Sequence, residues 1–242
     1  GNYNFYDLNL GQEGILCQGL TSNEMINLMD NNVGISFQKT DESGPVVKVS
    51  KATGSITLDG KLDEWDSIGA TNIDIIGYSD AEGSERTAAE LAENFAIRKM
   101  MLTHTDDGIY IAFDIKDNLI ECKTANDFWL GDCIELFLST VTSFPNADMQ
   151  VYKEQGAVMQ AAFAPTWSST GFRTVASVRT NSGMVEKANL LEAQLVLTDD
   201  GYTGEIFIPY AMSEDLRTAV AEGKPVDMAI VGADCERKNG LK

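Results

Sequence analysis

Two side chains combine a chemically useful type with a position that suggests use. Glu135 lies in the run Cys133-Ile134-Glu135-Leu136-Phe137, whose alternation puts it on one face with Cys133 and Phe137. A carboxylate among apolar neighbours needs a partner: a cation, backbone donors or the hydroxyls of a ligand. It can accept from two adjacent hydroxyls at once, which suits it to sugars. Trp129 sits near Asn126, Asp127 and Gly131, in a stretch that reads as a loop. A loop tryptophan can stack on the apolar C–H face of a pyranose at little desolvation cost. The plainer readings are an ion pair of Glu135 with Arg98 or Arg173, and a packing role for Trp129 beside Phe128.

Other chemistries have less to draw on. The cysteines are Cys17, Cys122, Cys133 and Cys235, with no C-x-x-C pair and a single histidine, which argues against zinc. A disulfide is allowed, but a core of this size does not require one. Ser-His-Asp catalysis would have to use His104, which falls within a strand pattern. No carboxylate pair singles out an acid and a nucleophile as a glycosidase would need. His104 with Met100 or Met101 offers axial ligands for a haem, against the plainer reading of a strand histidine. The sequence therefore points to a binding protein and not an enzyme. Its 37 Asp and Glu against 18 Lys and Arg leave a net charge of −19, which repels phosphate backbones and disfavours nucleic acid. No apolar run reaches the roughly 18 residues that span a bilayer.

The elements that must position these residues are mostly strands. Residues 108–116 alternate Ile109, Ile111, Phe113 and Ile115 with Tyr110, Ala112, Asp114 and Lys116. Residues 95–105 lead into them through Asp106-Asp107-Gly108, a hairpin signal because Asp and Gly tolerate positive φ. The pattern continues over 132–139, 157–163, 172–180, 191–198 and 202–208, with Asp199-Asp200-Gly201 repeating the turn. One helix is predicted over 211–221, after Pro209 and before Gly223 and Pro225. Many short strands and few helices predict an all-β, antiparallel two-sheet β-sandwich of the immunoglobulin or jelly-roll kind. Residues 1–44 form an N-terminal extension or the tail of a preceding domain, and 45–242 the sandwich. In the extension, Thr21 and Glu24 make a capping box for a helix over 25–30, with a strand over 33–37.

Four segments in register resemble carbohydrate-binding modules of family 9. Ile56-Thr57-Leu58-Asp59-Gly60-Lys61-Leu62-Asp63-Glu64-Trp65 is similar to that family's opening strand and D-G-x-x-D-E-x-W signature. The segment from Trp129 through Asp132 to Phe137 resembles its W-x-x-D-x-[VI]-E-[IL]-F strand entry. The 107–117 hairpin and Gly201-Tyr202-Thr203-Gly204-Glu205-Ile206-Phe207-Ile208-Pro209 are similar to two further family strands. The resemblance implies a non-catalytic module that binds oligo- or polysaccharide, extracellular or on the cell surface, with further domains possible in the same chain. It implies Trp129 as one aromatic wall and Glu135 as a hydroxyl acceptor. It places Gln150 on the next strand, with Tyr152 where the family carries arginine. Val231 stands where a glutamine is expected, and the second aromatic wall would lie beyond Lys242. Trp65 is expected in the core, anchoring the first strand. The family's structural calcium implies ligands among Asp59, Asp63, Asp117 and Asp234, with Glu64 a further candidate. The alternative is a sandwich that keeps the fold, has lost the sugar site and serves a structural or protein-interaction role.

Overall fold

The structure is a computed structural model, and it describes residues 2–6, 47–73, 93–121, 131–140, 158–168, 171–180 and 189–234. The described strands form two antiparallel sheets. The first takes β1 (Asn2–Tyr6), β5 (Cys133–Ser139), β6 (Val158–Ser168), β7 (Gly171–Thr180) and β10 (Asp227–Asp234) in the order β1-β10-β5-β6-β7. The second takes β2 (Thr71–Asn72), β3 (Phe95–His104), β4 (Gly108–Asp117), β8 (Glu192–Thr198) and β9 (Gly201–Pro209) in the order β2-β3-β4-β9-β8. The expected antiparallel sandwich is the architecture found, with both sheets open.

Alternation determines which residues lie between the sheets. Ile109, Ile111, Phe113 and Ile115 of β4 meet Ile134, Leu136 and Leu138 of β5 and Met159, Ala161 and Phe163 of β6 in one buried cluster. Burying each large side chain of this kind contributes roughly 1.5–3 kcal/mol, so the cluster dominates the fold's stability. Proline in a middle strand needs an explanation, since it removes a ladder donor. The β5–β6 pairing ends at Ile134 and Phe163, so Pro165 lies beyond β5 and pairs only with Thr174 of β7.

The 211–221 helix is shorter and interrupted. A single 3-10 turn covers Tyr210–Met212, and α1 begins only at Glu214 and runs to Ala221. Ser213, in extended conformation, restarts the helix by accepting the Leu216 amide at 3.3 Å. Strands β1 and β10 were not foreseen, and β1 pairs along its length with β10. The expected helix over 25–30 and strand over 33–37 lie outside the described residues.

Residues 47–73 correct a second expectation. Ile56, Thr57 and Leu58 form no strand, and 63–69 is a run of turns. This segment is a strap across the outer face of the second sheet. Trp65 is buried as expected, but in a separate cluster with Ile68, Met101 and Ala112 and not between the sheets. Met101 and Ala112 project from β3 and β4 away from the main core. The strap is tied at its first end by Ala52 N–H to the His104 carbonyl (2.9 Å) and the Thr103 hydroxyl to the Ser50 carbonyl (2.8 Å), and at its other end by Ile73 N–H to the Met100 carbonyl (2.9 Å).

Candidate functional site

Glu135 stands opposite Val231 of β10 and Ala162 of β6. Its neighbours Ile134 and Leu136 are buried in the core, so Glu135 faces out of the sandwich on the first sheet. It is half-buried there, beside Cys133, Ala162 and Ala164, all buried. By register Phe137 and Val231 share that face with it. Arg98 is not its partner: that guanidinium lies on the other sheet, bonded to Asp114 (2.7 and 3.1 Å) and Asp200 (2.8 and 2.9 Å). Arg173 takes a register position opposite Thr166 on β7.

Trp129, Gln150 and Tyr152 lie outside the described residues. Pairing with β5 starts at Val158, so the strand beside Glu135 carries Gln160, which stands opposite Phe137 on one side and Arg179 of β7 on the other. Sequence reasoning missed this position.

It also missed Glu205, a buried carboxylate that accepts three hydrogen bonds. Alternation turns it away from the core, yet the strap closes over it. Its Oε1 accepts the Trp65 indole N–H at 2.7 Å, and its Oε2 accepts the Asp59 and Gly60 amides at 2.9 and 2.8 Å. The Thr203 hydroxyl donates to the Gly60 carbonyl at 2.6 Å. Burial raises the Glu205 pKa, against the pull of its three donors. The signal was present in the sequence: a lone Glu in an apolar strand, and an Asp-Gly turn five residues before a tryptophan. Nothing in the spacing said that they meet.

The four expected calcium ligands do not form one set. Asp59 and Asp63 are exposed on the strap, and the Asp59 carboxylate is engaged by the Lys61 amide (2.9 Å), which with the Lys61 ammonium lowers its pKa. Asp117 and Asp234 are buried at one end of the sandwich, near Asp132 and the Tyr202 hydroxyl. There Asp117 accepts the Leu119 amide at 2.9 Å and Asp132 accepts the Glu121 amide. Burial, then the charges of Asp132 and Asp117, push the Tyr202 phenol well above its usual range. Among the described residues no three carboxylate, imidazole or thiol groups converge as metal ligands.

The haem pairing fails on geometry. Met100 faces the main core and Met101 the strap cluster. Both methionines are buried there, so neither sulfur is presented at a surface where a haem could lie.

No family model matches the chain, and no curated protein matches it. Among solved structures, a carbohydrate-binding module of family 9 from Caldicellulosiruptor kristjanssonii, determined in complex with cellotriose, is similar at 15% identity with a TM-score of 0.39. The similarity covers 66% of this chain and 66% of that one. At that distance it fixes neither ligand nor site.

Proposed function

We propose that the chain is a non-catalytic carbohydrate-binding module whose site is the outer face of the first sheet around Glu135. The observation that carries this reading is a half-buried carboxylate turned out of the core on the first sheet. Such a carboxylate can accept two neighbouring hydroxyls of one sugar. Trp129 supplies the aromatic wall at the rim, as the family resemblance implies. Gln160 and Arg179 hold register positions on the same face of the sheet as Glu135. Gln150 and Tyr152 retain the roles that the resemblance implies. The reading puts the module outside the cell or on its surface, next to polysaccharide.

A glycan array with wild type, Trp129→Ala and Glu135→Gln tests it, followed by titration of the best ligand. Loss of the ring should weaken binding by about 1–3 kcal/mol, the worth of one large side chain's contact. Glu135→Gln keeps the shape and loses a charge-assisted acceptor, for about 1.5–3 kcal/mol. Binding of a glycan that neither substitution weakens would place the site elsewhere.

A further inference from the structure

Among the described residues the strap covers only part of the second sheet's outer face. At its edge Tyr110 of β4, packed against the strap cluster, stands opposite Phe207 of β9, and Phe207 stands opposite Glu192 of β8. Ile109, Ile111, Ile206 and Ile208 point into the core, so these three lie outside. The two rings are stacked, with centroids 4.4 Å apart and planes at 25°. Both rings are half-buried and Glu192 is exposed. Gly108 makes the arrangement fit: a Cβ there would lie 2.5 Å from the Phe207 ring.

A second carboxylate borders the row. Asp107 is exposed in the turn before β4. Burial, then the charge of Asp107 and more weakly that of Glu192, raise the Tyr110 pKa, while a hydrogen bond with Thr105 lowers it. Among the described residues neither Asp107 nor Glu192 takes part in an ion pair, whereas the adjacent Asp106 is held by Lys51 at 2.6 Å. The row therefore runs carboxylate, phenol, phenyl, carboxylate. The three strands that carry it span about 10 Å at the usual strand spacing, the length of one to two sugar rings.

We propose that this row binds a sugar bearing a protonated amine, as a unit of an unacetylated amino-sugar oligosaccharide. Two unpaired carboxylates draw a cation, and the adjoining aromatic rings add cation–π attraction. The pyranose C–H groups supply the apolar contact that a bare ammonium lacks. The net charge of −19 raises the local concentration of such a ligand and excludes acidic glycans. A neutral sugar leaves both carboxylates without a cation. The site is separate from the Glu135 face and shares with that reading only the sugar body of the ligand.

The test is titration of the chain with chitosan tetramer, its fully acetylated counterpart, cellotetraose and tetralysine, below the amine pKa and at two salt concentrations. The amine tetramer should bind about tenfold more tightly than the acetylated one, and less so in high salt. Phe207→Ala should weaken it by roughly five- to tenfold, as loss of a cation–π ring does. The pair Asp107→Asn with Glu192→Gln, both exposed and harmless to folding, should weaken it by about tenfold. The proposal is overturned if the acetylated tetramer binds equally well, or if the Asn/Gln pair leaves amine binding unchanged. It is also overturned if tetralysine binds as tightly, because charge alone would then suffice. Cellotetraose binding that persists through these substitutions reports on the Glu135 face, so the failure of either reading can be told from that of the other.

Discussion

Glu205 gains no cation from the described residues, and three N–H donors hold it instead. Glu205→Gln keeps the volume but turns an amide N–H₂ toward one of those donors. The expected cost is about 1–3 kcal/mol, that of a buried polar group left mispaired. The pH dependence follows from burial. The folded carboxyl has a pKa above its ordinary value of 4.5, so between the two pKa values the native state holds more protons than the unfolded one. The group's contribution is therefore most favourable below pH 4.5 and declines as pH rises through the folded pKa. Urea denaturation of wild type and Glu205→Gln across this range should show wild type's advantage shrinking with rising pH. A gap that widens with pH would refute the account.

At the scale of elements, the strap depends on backbone that only glycine can supply. Gly60 has φ +81°, and a Cβ there would lie 2.6 Å from Val196 Cγ2. Gly60→Ala should cost about 1–3 kcal/mol through strain at that φ, and should speed amide exchange over 55–70 before the rest of the fold. Exchange that rises uniformly would show that the strap does not open separately. Ser213→Ala should cost about 1 kcal/mol by removing the cap of α1, read as a shift in the denaturation midpoint. The sequence revealed β3, β4, β8 and β9 to within a residue or two, because alternation reports burial directly. It did not reveal the strap, whose order comes from Glu205, about 140 positions away in the chain. It revealed that Glu135 shares a face with Cys133, since that is again alternation, but not that this face points out of the sandwich. The strand beside Glu135 was predicted over 157–163 and pairs with β5 from Val158, whereas Gln150, which the resemblance places on that strand, lies outside the described residues. Ser213 followed by Glu214 and Asp215 was a legible cap, overlooked because Tyr210–Met212 already turns.

For the whole molecule, charge is the property with the widest consequence. With 37 acidic against 18 basic side chains, folding brings a large surplus of like charge into a small volume. Salt screens that repulsion, but it also screens the ion pairs. The pairs are mostly exposed, among them Lys51–Asp106, Lys99–Asp66 and Lys224–Glu222. Exposed pairs of this kind are each worth about 0–1 kcal/mol. The surplus extends over the whole surface, so its repulsion should exceed what the pairs contribute. Raising sodium chloride from about 0.01 M to about 0.15 M shortens the Debye length from roughly 30 Å to roughly 8 Å. A gain of about 1 kcal/mol then corresponds to a melting temperature roughly 2–4 °C higher for a chain of this size. The control is calcium at a concentration too low to alter screening. Because the described carboxylates do not converge on an ion, the sodium effect should appear without it. A melting temperature that is flat or falls with sodium chloride would mean that the surface pairs outweigh the surplus. A rise produced by trace calcium alone would place a bound cation, with ligands from beyond the described residues, ahead of screening as the source of stability.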